Sequence, residues 1–224
     1  MIKFANQEFD EKLLGKDDIF VFALGYESRS IALFNKMKSI LSTENMLAFV
    51  FDDYKKYDYI APQIDSIINE NNICVENVNY DSYSIVNKKI EEMVKNKVQD
   101  KSVINIHIDY SSMPRRWYYQ LPLLLKNNLR ETDKAYFWYV AGKYPMDYEV
   151  YPSAGIDPLP VFGKSSLRVG KKRTHIVGLS YDAIRTSALI SILDPDSYIT
   201  CNAYNKSNSE IHNNVKSVNS RVIA

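Results

Sequence analysis

Apolar residues in this chain come in short runs separated by polar turns. Ile19–Leu24, Met46–Phe51, Ile73–Val78, Val103–Ile108 and Ala135–Val140 are each brief, rich in β-branched or aromatic residues, and bounded by Gly, Asn, Asp or Ser. Runs of that length with such boundaries read as strands. Between them the spacing turns helical. Ile31, Leu33, Phe34, Met37 and Ile40 give a helix over Ser28–Leu41, and further helices follow over Ile60–Asn69, Ser84–Val98 and Pro114–Asn127. Asn6–Leu14 reads as a short lead-in helix.

Strands alternating with helices predict an α/β fold, here a three-layer, Rossmann-like arrangement around a mainly parallel sheet. With right-handed connections and a central first strand, the predicted order is 3-2-1-4-5. Strands one and four are then neighbours where the winding reverses. Open α/β sheets bind ligands there, beyond the carboxyl ends of the strands.

Residues 1–141 are assigned to this domain. Residues 142–173 concentrate Pro and Gly without a period and read as a long loop or linker, with a short strand expected near Leu159–Phe162. Residues 174–224 read as an incomplete second αβ repeat. Thr174–Leu189 echoes Val21–Leu33: a strand, then Tyr followed by an acid (Tyr26-Glu27, Tyr181-Asp182), then Arg with a hydroxyl residue (Arg29-Ser30, Arg185-Thr186), then Ala-Leu in a helix. A strand at Tyr198–Ala203 and an amphipathic helix over Glu210–Ala224 complete the reading.

The composition narrows the class. The chain has 224 residues, 46% hydrophobic and 25% charged, enough apolar material for a sizeable core. A net charge of +1 gives no global attraction for long nucleic acid, so any electrostatic site is local. The N-terminus lacks the apolar core of a signal peptide and no apolar run is long enough to span a bilayer. A cytoplasmic protein is therefore expected. Cys74 and Cys201 stand in no metal or redox spacing and are expected as reduced core residues.

The candidate chemistry lies in the two turns that the strand order brings together. Gly25, Tyr26, Glu27, Arg29 and Ser30 follow strand one. Asp109, Ser111, Ser112, Arg115 and Arg116 follow strand four, with Ser111 and Ser112 expected to cap the next helix and Pro114 in its first turn. Two arginines in a first helical turn oppose the helix dipole, an arrangement that suits a docked anion. Solvated charges, or pairing with Asp109 and Glu27, are the alternative.

Other signals are missing or weak. No GxGxxG, GxxxxGK[ST] or GxSxG is present, so the common phosphate cradles and the hydrolase nucleophile elbow are unsupported. No His/Cys/Asp cluster has ligand spacing; no metal site and no cofactor are implied. His107, inside the fourth strand, reads as a satisfied core residue, and Asp52-Asp53 as a solvated turn. Trp117 and Trp138 read as core.

Asp109-Tyr-Ser-Ser-Met-Pro-Arg-Arg116, placed after a fourth strand, resembles the ligand loop of CRISPR-associated Rossmann-fold (CARF) sensing domains. That family sets an acid or amide, small and hydroxyl residues and then a basic residue at this place, with the first-strand loop facing the ligand. Here Ser111-Ser112-Met113 replace the usual paired glycines, and arginine the usual lysine. Gly-Tyr-Glu-x-Arg-Ser combined with Asp-x-Ser-Ser-Met-x-Arg also looks like uncharacterised Rossmann-like proteins of bacterial defence loci. The resemblance implies a nucleotide-ligand sensor in antiviral defence. It also implies a phosphate-bearing ligand, and a homodimer or partner protein. Two alternatives remain open: a nucleotide-cleaving enzyme using Glu27 or Asp109 as general base or stabiliser, and a non-catalytic assembly subunit. A Glu27–Arg115 ion pair would favour the last.

Overall fold

Strands buried on both faces need apolar residues at every position, and this shapes the centre of the molecule. In the computed structural model, which describes residues 8–99, 103–142, 170–202 and 209–223, Ile19–Leu24 forms β1 with all six residues buried. Met46–Phe51 forms β2, Cys74–Val78 β3, Asn105–Asp109 β4 and Lys134–Trp138 β5. All pair in parallel in the order 3-2-1-4-5, the predicted one. β1 lies between β2 (Phe20↔Met46 to Leu24↔Val50) and β4 (Ile19↔Ile106, Phe20↔His107, Val21↔Ile108).

Alternation along these strands divides the core in two. Ile19, Val21, Leu47, Phe49, Ile106 and Ile108 face α3 (Tyr83–Gln99), α4 (Arg115–Tyr118) and α5 (Leu121–Asn128), meeting Val86, Ile90, Trp117 and Leu121. Phe20, Phe22, Leu24, Met46, Ala48 and Val50 face α1 (Ala32–Met37) and α2 (Ala61–Glu70), meeting Phe34, Met37, Ile60 and Ile64. Helices thus cover both faces, as a parallel sheet requires.

Several local expectations change. The helix after β1 starts as a 3-10 turn at Ser28–Ile31 and ends at Met37, short of Leu41. The predicted helix over Pro114–Asn127 is two pieces, α4 and α5. Pro122 lacks an N–H and its ring crowds the preceding turn, so the chain restarts a helix with Pro122 in its first turn. Ser111 and Ser112 do not cap α4: Pro114 occupies that position, and no side chain caps it. The lead-in helix is a single 3-10 turn, Glu11–Leu13. Cys74 and Cys201 are both exposed thiols, not core residues; both lie on strands where the apolar run is interrupted by polar neighbours. The strand expected near Leu159–Phe162 falls outside the described residues.

His107 is satisfied in the core. The Trp138 indole N–H donates to His107 Nδ1 (3.1 Å), so Nε2 carries the hydrogen directed at Asp18 (3.1 Å). Asn105 and the Gly15 N–H also donate to the Asp18 carboxylate, at 3.0 and 2.7 Å. Burial raises the pKa of Asp18, but these bonds to His107, Gly15 and Asn105 outweigh it and leave it below the ordinary carboxylate value. Relative to an unfolded value of about 3.9, the stabilisation is present above about pH 4 and is lost as pH falls through the folded value. Urea unfolding between pH 3 and 6 should show this slope in the wild type and a flatter one in Asp18→Asn; equal slopes would refute it.

The chain divides into two compact units, Met1–Tyr144 and Pro145–Ala224. The second holds a separate two-stranded parallel sheet of β6 (Thr174–Gly178) and β7 (Ser197–Cys201), with α6 (Ala183–Leu193) between them. Two helices follow, α7 (Ser209–Val218) and α8 (Ser220–Ile223), where one had been expected; Asn219 sits between them and donates to Ser180 O (2.7 Å) and Val215 O (2.8 Å). Its turn repeats a feature of the first unit. Asp182 caps α6 and pairs with Arg185 Nε at 3.0 Å, as Glu27 pairs with Arg29 after β1. No helix among the described residues is long and apolar enough to cross a membrane.

Candidate functional site

β1 continues for three residues beyond its last pairing with β4, through Phe22, Ala23 and Leu24. β4 meanwhile ends at Asp109, paired with Trp138 of β5. The two chains part there, and a cleft of about 270 Å³ opens at the carboxyl ends of the strands. Gly25, Tyr26, Glu27 and Arg29 line one side and Ser111, Ser112, Met113 and Pro114 another, with Phe51 and Tyr80 completing it. Gly25 permits the close approach: a Cβ there would stand 3.2 Å from the Phe51 ring.

Arg29 is held on three sides. Its Nε donates to Glu27 Oε2 at 2.6 Å, and Nη1 donates to the Tyr139 hydroxyl (2.8 Å) and the Val140 carbonyl (3.3 Å). Its guanidinium also lies 5.2 Å from the Tyr139 ring centre. Burial would lower the pKa of Arg29, but the bonds to Glu27 and Tyr139 outweigh it and raise it above the ordinary arginine value. Among the described residues Nη2 has no hydrogen-bond partner, so part of a fixed, charged donor edge remains unspent there.

Val140 ties the two turns together. While its carbonyl accepts from Arg29, its N–H donates to Ser111 Oγ at 2.7 Å. Ser111 N–H in turn donates to Asp109 Oδ1 (2.9 Å), a local turn of the kind aspartate favours. Asp109 is 2% exposed and its Oδ2 has no partner among the described residues. Burial pushes its pKa up, against the opposing Ser111 bonds and the Arg29 charge. Ser112 Oγ is likewise buried without a partner among the described residues, in a residue that lines the cleft.

Of the ten residues named from the sequence, Gly25, Tyr26, Glu27, Arg29, Ser111 and Ser112 line the cleft. Ser30 is buried and braces the first turn from behind, its hydroxyl 3.4 Å from Gly25 O. Asp109 supports the second turn without lining the cleft. Arg116 pairs with Asp81 at 2.6 Å and covers the Tyr80 ring, while Arg115 is exposed and outside the lining. Asp52 and Asp53 are exposed in the turn after β2, and no group of metal-ligating side chains occurs among the described residues.

Sequence reasoning missed Phe51, Tyr80, Tyr139 and Val140. Each stands at or just after the carboxyl end of a strand, β2, β3 or β5. The rule that drew attention to strands one and four applies equally to their neighbours in the sheet.

No family model matches the chain, and no curated protein or solved structure matches it.

Proposed function

We propose that this chain binds a phosphate-bearing nucleotide in the cleft between the β1 and β4 turns, as a ligand-sensing or binding module. The observation that carries the reading is Arg29: anchored by Glu27, Tyr139 and Val140, it lines the cleft together with Ser112, whose hydroxyl has no partner among the described residues. A guanidinium fixed before the ligand arrives loses little side-chain freedom on binding and suits phosphate oxygens. The cleft volume of about 270 Å³ lies just under the ~300–1,000 Å³ common for ligand sites, which suits one nucleotide unit. The defence setting, the homodimer or partner protein and the cytoplasmic location belong to the same reading through the family resemblance.

The geometry favours binding over cleavage. Glu27 already gives Oε2 to Arg29 at 2.6 Å, and Asp109 does not line the cleft. Glu27 pairs with Arg29 rather than Arg115, so the contact that would have favoured an assembly subunit is not formed. Calorimetry against mono-, di- and cyclic nucleotides tests the proposal, with mass spectrometry of co-purifying small molecules naming the ligand. Glu27→Gln keeps the shape of the turn and should change affinity by no more than about tenfold, with bound nucleotide intact over hours. Nucleotide destroyed by the wild type and held intact by Glu27→Gln would make this an enzyme; no binding to any nucleotide would overturn the reading outright.

A further inference from the structure

The cleft changes character along its length. Over β1 and β4 it is ionic and hydroxylic, with Glu27, Arg29 and Ser112. Over β2 and β3 it is aromatic, with Phe51 and Tyr80. Resting on the nucleotide reading, we propose that the phosphate lies at the β1–β4 end and the base at the β2–β3 end, where Tyr80 determines specificity as its stacking platform.

Tyr80 is 57% exposed, yet two contacts hold it. Its backbone carbonyl accepts from the Trp117 indole N–H at 2.9 Å. The Arg116 guanidinium stands 5.8 Å from its ring centre and is itself held by Asp81 at 2.6 Å. An aromatic ring left half in water but fixed in place, at the mouth of a cleft, is ready to receive a second flat ring. The Arg116 guanidinium over the ring adds cation–π attraction to the platform. Tyr26, 55% exposed just after β1, also lines the cleft and offers a second ring to the same ligand. Among the described residues, no amide or charged side chain lines the β2–β3 end. The base is therefore read by the area of its face, not by hydrogen bonds to its edge. Purines should bind more tightly than pyrimidines, with little distinction between adenine and guanine.

The test is calorimetry with adenosine, guanosine and uridine monophosphates, ribose 5-phosphate and inorganic phosphate. Wild type should bind the two purine nucleotides alike, uridine monophosphate more weakly, and ribose 5-phosphate more weakly still. Tyr80→Ala should lose about ten- to a hundredfold for purine nucleotides while its affinity for ribose 5-phosphate stays unchanged. Tyr80→Phe keeps the ring and should behave as wild type. The exposed position of Tyr80 leaves the fold intact in both variants, which circular dichroism checks. Three outcomes would overturn the assignment and leave the nucleotide site standing: ribose 5-phosphate bound as tightly as adenosine monophosphate, Tyr80→Ala equal to wild type for purines, or Tyr80→Phe as weak as Tyr80→Ala. Failure of the wild type to bind any nucleotide would overturn both.

Discussion

Trp117→Ala should destabilise the first unit by about 3–5 kcal/mol, a large share of the roughly 5–15 kcal/mol that keeps a domain folded. Trp117 is completely buried. It stacks on Phe51 at 4.9 Å and meets Phe49 edge-on at 6.1 Å, filling the space between the sheet and the helices that follow β4. Truncation opens a cavity lined by rings that cannot collapse into it, and it also leaves the Tyr80 carbonyl without its 2.9 Å donor, about 1 kcal/mol more. Trp117→Phe keeps most of the packing and should cost markedly less. Both tryptophans of the chain, Trp117 and Trp138, lie in the Met1–Tyr144 unit, so denaturant unfolding followed by tryptophan fluorescence reports on that unit alone. A loss below about 1 kcal/mol would show that the site repacks and that Trp117 is not central to the core.

Arg29→Ala should weaken binding of the proposed nucleotide by about ten- to a hundredfold, the equivalent of one charge-assisted hydrogen bond of roughly 1.5–3 kcal/mol. The substitution removes the donor and also uncovers Glu27, whose carboxylate then faces an incoming phosphate with no cation beside it. Arg29→Lys restores the charge but cannot satisfy Glu27, Tyr139 and Val140 at once from a single ammonium, so it should recover only part of the loss. Arg115→Ala is the internal comparison. Arg115 is exposed and outside the lining, so its removal should change affinity by less than about threefold. Equal losses in Arg29→Ala and Arg115→Ala would mean that general positive charge, not the bracketed guanidinium, attracts the ligand. Titration at two salt concentrations separates these cases, because an exposed charge is screened more than a buried one.

The β1 and β4 turns were legible in the sequence because both follow unbroken apolar runs, and the strand order made them neighbours. The roles of individual residues within them were less so. Arg29, Arg115 and Arg116 have the same chemistry in the sequence, yet Arg29 lines the cleft, Arg116 braces Tyr80 and Arg115 points to water. The difference comes from partners far along the chain: Tyr139 and Val140 for Arg29, Asp81 and Tyr80 for Arg116. The serines show the same limit. Their type and position suggested helix capping, but Ser111 accepts from Val140 just beyond β5, and Ser112 bonds nothing among the described residues.

The sequence by itself determined the sheet. Apolar runs long enough for strands, alternating with helical spacing, admit few arrangements once crossovers must be right-handed, and the observed order 3-2-1-4-5 is the one they indicate. It also determined which two turns meet. Only the tertiary structure decided what the site is made of. Phe51, Tyr80, Tyr139 and Val140 reach it from β2, β3 and β5, and nothing local marks them, because they are ordinary strand-end residues until the sheet sets them side by side. The tertiary structure also decided which thiols face water, since the exposure of Cys74 and Cys201 depends on what packs over their strands, whereas the helix break at Pro122 is local, set by its missing N–H and its ring. Periodicity is a local property and survives in the sequence; the direction of a side chain and the partner it finds depend on packing, which the sequence records only through the whole fold.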